Sequence, residues 1–348
     1  MSLGIDIGKY SIKIVELEKS NDIITLKNYG YKNTVDDLST FDLEKINKSQ
    51  LIACIQDLCK EMKINPKKIK NVITSLSNAA VDVRQVTTLD LPDDELSVSL
   101  EMEAKKHIAL DGTDPIIDYH HLGSHSTELD KINLILVSTT KNIITEHADM
   151  IKSSGFKPHI FDTDPIAISN IYQHSYELPE DGTDVILNFG NTSTNLIVWG
   201  KNSPFFSRNL EIGGDKITKE IMRIFNVDYK SAEEKKFNKG TQVFDKKDEQ
   251  EEAASAISIE KKTIFNELTE DIRKTLRYYM KNNNQSFFNT FYLSGGASLT
   301  PGIVEFIVSN LNVKVEMLNP LINISTKKDI NQKEKYAQAI GLALRGLE

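Results

Sequence analysis

Apolar and polar positions near the start of the chain follow first a strand rhythm and then a helical one. Leu3–Ile7, Ser11–Leu17 and Ile23–Tyr31 are short β-rich runs, with Gly8-Lys9-Tyr10 as a turn between the first two. Asp42–Met62 then sets Leu43, Ile46, Leu51, Ile55, Leu58 and Met62 at helical spacing. Asn71–Ser75 reads as a buried strand. After Val81 the texture changes. The pattern predicts a strand over Val83–Thr88 and a helix over Glu95–Ile108, announced by Leu91-Pro92-Asp93-Asp94. Strands follow over Ile116–Leu122 and Lys131–Thr139. A helix over Lys141–Ser154 stops at Gly155, and Lys157–Asp162 is a strand. Together these make a small α+β unit inserted at 81–163.

Asp164-Pro165 opens a helix that runs to Tyr176, with proline in its first turn. Val185–Leu187, Leu196–Trp199 and Pro204–Glu211 are predicted strands. Gly213-Gly214 precedes a helix over Ile217–Phe225, and Lys230–Lys239 is a charged helix. Ala253–Lys281 is predicted as one long helix, with Ile257, Ile264, Leu268, Ile272, Leu276 and Tyr279 on one stripe. Thr290–Ser294 is a strand ending in Gly295-Gly296. A helix over Leu299–Leu311, a strand over Val313–Met317 and a closing helix over Tyr336–Leu347, rich in small residues, complete the chain.

An internal repeat carries the candidate chemistry. Laying IDIGKYSIK (Ile5–Lys13) over LNFGNTSTN (Leu187–Asn195) matches Asp6 with Asn188, Gly8 with Gly190, Ser11 with Ser193 and Lys13 with Asn195. Each copy is a strand, a glycine turn, a small hydroxyl residue and a second strand, which implies a duplicated architecture with a cleft between its halves. Such turns suit a phosphate chain: glycine allows positive φ and close approach, and successive N–H groups form an anion nest. Lys13 can place a cation on the phosphates, and Asp6 can hold magnesium through water. A third glycine motif, Leu293-Ser294-Gly295-Gly296-Ala297-Ser298, ends a strand and can let a flat base lie against backbone.

Composition narrows the function classes. The 348 residues suggest two domains, possessing 39% hydrophobic and 26% charged residues, ordinary for a globular chain. The formal charge of −8 gives no basic footprint for nucleic acid or for anionic lipid. The short basic runs Lys67–Lys70 and Lys235–Lys239 read as solvated surface. Cys54 and Cys59 sit outside any CxxC or Cys/His cluster and are expected as buried thiols in a reducing cytoplasm. No signal peptide and no uncharged run of spanning length is apparent, so membrane contact is expected only through a partner.

In order along nearly the whole chain, GIDIGKYSIKIVELE, NFGNTSTNLIVW, FSRNLEIGGDKIT, FYLSGGASLTPGIVEFI and YAQAIGLALRGL resemble the motifs of the actin/Hsp70/sugar-kinase superfamily. Within it the chain resembles the PilM-type type IV pilus assembly family, a relative of FtsA. LDLPDDELSVSLEMEAKKHIALDGTDPIIDYHHLG resembles the insert of that family. The resemblance implies an α/β, duplicated actin/Hsp70-like ATPase fold in which an α+β insert (subdomain 1C) replaces subdomain 1B. It places subdomain 1A at 1–80, the insert at 81–163, a return helix at 164–183, and subdomain 2A at 184–225 and 286–335. Subdomain 2B falls at 226–285 and a closing helix at 336–348.

The same resemblance implies ATP with Mg²⁺ as cofactors. Asp6, Gly8, Lys9, Tyr10, Ser11 and Lys13 form the first phosphate motif and Asn188, Gly190, Asn191, Thr192 and Ser193 the second. Gly213, Gly214, Glu233, Lys236, Gly295, Gly296 and Ala297 take the adenosine side. Asp164 corresponds to a water-positioning carboxylate, although as a shorter arm than glutamate. Its competing reading is a helix N-cap before Pro165, and that of Glu233 and Lys236 is a solvated face. Asn188 stands where relatives have an acid, so turnover is expected to be slow, and Asn188→Asp is expected to raise it with the fold intact.

The implied partner is the cytoplasmic N-terminal peptide of a PilN-like single-span membrane protein, docked in a groove between subdomain 1A and the insert. Pilus motor ATPases are further candidates. The protein would be cytoplasmic and peripheral to the inner membrane. An FtsA-like division protein and a small-molecule kinase of the same superfamily are the alternative readings.

Overall fold

The computed structural model describes residues 1–77, 79–109, 111–125, 127–245 and 263–348. The chain opens with β1 (Ser2–Ile7), β2 (Ser11–Ser20) and β3 (Ile23–Asn33), then α1 (Lys48–Glu61) and β4 (Val72–Leu76). The insert contributes β5 (Asp82–Leu89), α2 (Asp93–Ala104), β6 (Pro115–Ser124) and β7 (Lys131–Thr140). Next come α3 (Lys141–Ser153), β8 (Ile160–Thr163) and α4 (Asp164–Ser175). The second half holds β9 (Asp184–Phe189), β10 (Thr194–Gly200), β11 (Ser203–Leu210), α5 (Gly214–Phe225), α6 (Tyr229–Lys239) and α7 (Ile264–Asn283). It closes with β12 (Phe291–Ser294), α8 (Ile303–Leu311), β13 (Val315–Met317) and α9 (Ala337–Arg345).

Two five-stranded sheets repeat one topology: β3-β2-β1-β4-β8 and β11-β10-β9-β12-β13. In each, three strands are antiparallel and the next two run parallel to the central one. The hairpin turns superpose in register as well as in sequence. Gly8 N donates to Ser11 O at 3.2 Å, and Gly190 N donates to Ser193 O at 3.0 Å. The halves meet through a buried apolar layer in which Ile168, Ile171 and Tyr172 of α4 and Ile340 and Ala343 of α9 pack with Ile186, Ile197 and Tyr292 of the second sheet.

Two sequence boundaries move. The helix predicted from Asp42 begins at Lys48, because Asn47 and Gln50 form a reciprocal capping box there. The displaced segment crosses to the second half instead: Phe41 packs on Tyr229 of α6 with ring centroids 4.6 Å apart, and on Tyr10 at 5.2 Å. The described part of the long helix starts at Ile264 behind a Thr263/Asn266 capping box, and the residues predicted as its first turns, including Ile257, lie outside the described residues.

The insert is also shorter than 81–163. Its three-stranded sheet, β5-β7-β6, and α2 share a core of their own between Leu96 and Leu136. By contrast β8 pairs with β4, and Met150 and Ile151 of α3 pack in the core of the first sheet. The separate unit is therefore 82–140. It also leans on the second half, where Phe205 N donates to Gln85 Oε1 at 2.7 Å and Ser207 Oγ donates to Val83 O at 3.1 Å. Cys54 and Cys59 are free and buried, as expected.

Candidate functional site

Between the two hairpins lies a cleft of about 720 Å³, within the size range of small-molecule and cofactor sites. Of the residues singled out from the sequence, Asp6, Gly8, Lys9, Tyr10, Ser11, Lys13, Asp164, Asn188, Gly190, Asn191, Thr192, Ser193, Gly214, Glu233, Lys236, Gly295, Gly296 and Ala297 all line it. Gly213 does not. It backs onto the second hairpin, where a Cβ would lie 2.4 Å from Asn191 O. Its role is to let the start of α5 close on that turn, and Gly214 N and Asp215 N donate to Gly190 O and Asn191 O at 3.0 and 2.8 Å.

The hairpin glycines serve close approach and not positive φ. A Cβ on Gly8 would meet Ser11 O at 2.9 Å, and one on Gly190 would meet Ser193 O at 3.0 Å. Gly295 is the position whose backbone demands glycine, at φ +87 with a Cβ placed 2.5 Å from Phe189 O.

Charge concentrates at the first hairpin. Lys13 Nζ lies 2.8 Å from Asp6 Oδ2, and its side chain is 14% exposed. Burial opposes its charge, but Asp6 outweighs burial and holds the ammonium above its ordinary value. Asp164 enters from the start of α4. Burial, with Asp6 and Asp162 nearby, pushes its carboxyl up to about 7. Asp164 is not the helix cap: Thr163 is, accepting from Ile166 N through its side chain.

On α6 the solvated-face reading fails. Glu233 is 8% exposed and Lys236 2%. Lys236 Nζ bonds Glu233 Oε1, Thr218 Oγ1 at 2.8 Å and Gly214 O at 3.4 Å, and burial lowers its pKa. Gly214 joins this group to the turn, since a Cβ there would lie within 3.5 Å of Ala297 Cβ, Asn191 Oδ1 and Lys236 Nζ.

Among the cleft residues that the sequence reading missed are Gln338 and Lys335. Gln338 of α9 touches Asp6, Asp164, Ser75 and Asn188. Its signal was a lone amide in a helix of small and apolar residues. Lys335 lies over the Tyr31 ring, 4.5 Å from its centroid, and burial together with Lys13 lowers its pKa. Nothing in the local pattern around Lys335 distinguishes it from surface lysine.

These residues fit a magnesium nucleotide. Asn191 Nδ2 is buried in the second turn without a hydrogen-bond partner, a donor in search of an acceptor. Around the open backbone of Gly296 no atom lies within 4 Å of a built Cβ. Among the described residues no group of three or more His, Cys, Asp or Glu is arranged to hold a metal ion. Magnesium keeping most of its water and bound to phosphates and one carboxylate suits such a site.

The family described as "Type IV pilus assembly protein PilM" matches residues 4–347. A solved PilM–PilN type IV pilus biogenesis complex has a chain similar at 25% identity and a TM-score of 0.82, covering 100% of this chain and 98% of that one. The ethanolamine utilization protein EutJ from Carboxydothermus hydrogenoformans is similar at 12% identity and TM-score 0.54, over 99% and 89% of the two chains. That second likeness speaks for the fold alone. The architecture is a duplicated α/β fold, two sheets of one topology facing a shared cleft, and the PilM–PilN and EutJ chains share it.

Proposed function

The chain belongs to the PilM family of type IV pilus assembly proteins, and from that premise we propose that it is an ATP-binding adaptor for the cytoplasmic N-terminal peptide of a PilN-like single-span protein. The observation that carries the nucleotide half is the paired hairpin cleft, with Lys13 on one turn and the unpartnered Asn191 amide on the other. ATP would lie across both turns, its phosphates on Gly8–Lys13 and Gly190–Ser193 and its adenosine toward Glu233, Lys236 and Gly295–Ala297. Magnesium, held through water by Asp6, would neutralise phosphate charge.

Hydrolysis is expected to be slow, below about 1 s⁻¹ in a phosphate-release assay. Asn188 supplies no negative charge on the second turn, and Asp164, the candidate base, has Oδ1 already held by Gln338 Nε2 at 2.7 Å.

The adaptor half rests on the family and on the insert. A related chain is known in complex with PilN. On this insert Met102 and Val98 of α2 and Ile116 and Leu122 of β6 are exposed. Val98 and Met102 lie on the face of α2 turned from the sheet, and Ile116 on the face of the sheet turned from α2, so the insert offers apolar peptide anchors on two faces. Among the described residues no helix is long and apolar enough to cross a membrane, so the partner would supply the membrane contact at the inner membrane's cytoplasmic face.

Excising 81–163 would strip β8 and α3 from the first sheet and is a poor test. Met102→Glu combined with Ile116→Glu changes side chains that are 64% and 41% exposed. Fluorescence anisotropy with the labelled peptide should show micromolar affinity for the wild type, on the order of −8 kcal/mol, and at least roughly tenfold weaker binding for the variant. Equal binding by a folded variant would move the partner site off both faces.

A further inference from the structure

Four polar side chains from four elements meet on one residue at the cleft floor. Gln338 Nε2 lies 2.7 Å from Asp164 Oδ1, 3.1 Å from Asp6 Oδ1 and 3.1 Å from Ser75 Oγ. Its Oε1 accepts from Asn188 Nδ2 at 3.0 Å, while Asn188 Oδ1 accepts from Ser294 Oγ at 3.3 Å. Residue chemistry fixes this orientation. Asp6, ion-paired with Lys13, can only accept, so the NH₂ end of Gln338 must face it, and with it Asp164. Its carbonyl is then left for the second half of the molecule, and whatever stands at 188 must donate to it. Asparagine can donate there, and an ionised aspartate cannot. An NH₂ group has two hydrogens, so with three acceptors around it the Ser75 hydroxyl supplies its own proton to a carboxylate.

We infer that Gln338 is the positioning residue of this cleft, its amide clasping Asp6 and Asp164 of the first half to Asn188 of the second so that the floor is assembled without a metal ion. The inference rests on the nucleotide reading for its consequence. Asp6 and Asp164 are like charges that one neutral donor group serves together. A floor held by amides needs no bridging divalent cation of its own, so magnesium serves the phosphates and not the assembly of the floor. The clasp is also the floor's direct side-chain link between the halves, and it is carried on α9, whose neighbours Ala337, Ala339 and Ile340 are buried.

Gln338→Glu tests this without changing side-chain size. It removes the donor and sets a third carboxylate beside Asp6 and Asp164, which repels phosphate unless a cation is present. In calorimetric titrations with ATP, replacing magnesium by EDTA should cost Gln338→Glu at least about tenfold more affinity than it costs the wild type. The same magnesium dependence in both proteins would overturn the inference. A second readout uses nucleotide-free protein. Asn188→Leu and Gln338→Leu break one shared contact besides contacts of their own, so the double variant should lose clearly less than the sum of the two single losses. Additive losses would overturn the clasp. Should the wild type bind no ATP, the nucleotide reading fails, and the melting cycle still decides whether the clasp exists.

Discussion

Lys13→Ala is expected to weaken magnesium–ATP binding by about 1.5–3 kcal/mol, roughly ten- to 150-fold. The substitution removes a charge-assisted donor aimed at the phosphates, and it also changes what remains. Asp6 Oδ2 loses its partner at 2.8 Å and keeps only the neutral Gln338 amide on Oδ1. An uncompensated carboxylate then faces the phosphate chain, which places the expected loss toward the upper end. Lys335 lines the same cleft but rests on the Tyr31 ring, so any compensation from it would be partial. Asp6→Asn in the Lys13→Ala background should recover part of the affinity, since it removes the repelling charge. Isothermal calorimetry checks both, and an affinity unchanged by Lys13→Ala would contradict the assigned phosphate site.

Gly341→Ala should cost about 3 kcal/mol or more of stability, although alanine is the better helix former by about 1 kcal/mol. A Cβ at 341 would stand 1.9 Å from Ala167 O of α4, a backbone atom that no rotamer change can move aside. The same squeeze occurs on the other side of α9, where a Cβ on Gly4 of β1 would reach 2.1 Å from Ala339 O. The closing helix thus lies wedged between β1 and α4 on two glycines. Lifting it would withdraw Gln338 from the cleft floor, so nucleotide affinity should fall along with stability. Chemical denaturation measures the first effect and calorimetry the second. A variant as stable as the wild type would mean that α9 is not seated as described.

Legibility in the sequence followed the range of the interactions. The hairpins could be read because their strands, turn and hydroxyl residue are neighbours in the chain and occur twice. Most strands followed, and so did much of the cleft lining. What failed was decided locally by a competing cap or globally by packing. Asn47 with Gln50 started α1 later than apolar spacing alone suggested. The boundary of the insert moved because β8 finds its partner, β4, across the whole insert. The charged look of α6 hid the burial of Lys236, whose ammonium is satisfied by Glu233 and Thr218 from two helices. Gln338 was missed because its meaning lies in Asp6 and Asn188, far away in the chain.

The Asn188→Asp expectation changes for the same reason. From the sequence alone the exchange adds an acid without harming the fold. In the structure Asn188 donates to Gln338 and accepts from Ser294, so aspartate forfeits the first bond and brings a third negative charge towards Asp6 and Asp164. A loss of stability at neutral pH is expected before any gain in turnover.

Hydrogen–deuterium exchange on the intact protein, with and without magnesium–ATP, tests the central claim most directly. Nucleotide lying across the paired turns should slow exchange at the amides of both Gly8–Lys13 and Gly190–Ser193, and at Gly295–Ala297, while the insert's β6 edge stays unchanged. Protection confined to one hairpin, or absent from both at saturating ATP, would contradict a nucleotide bound between the two halves.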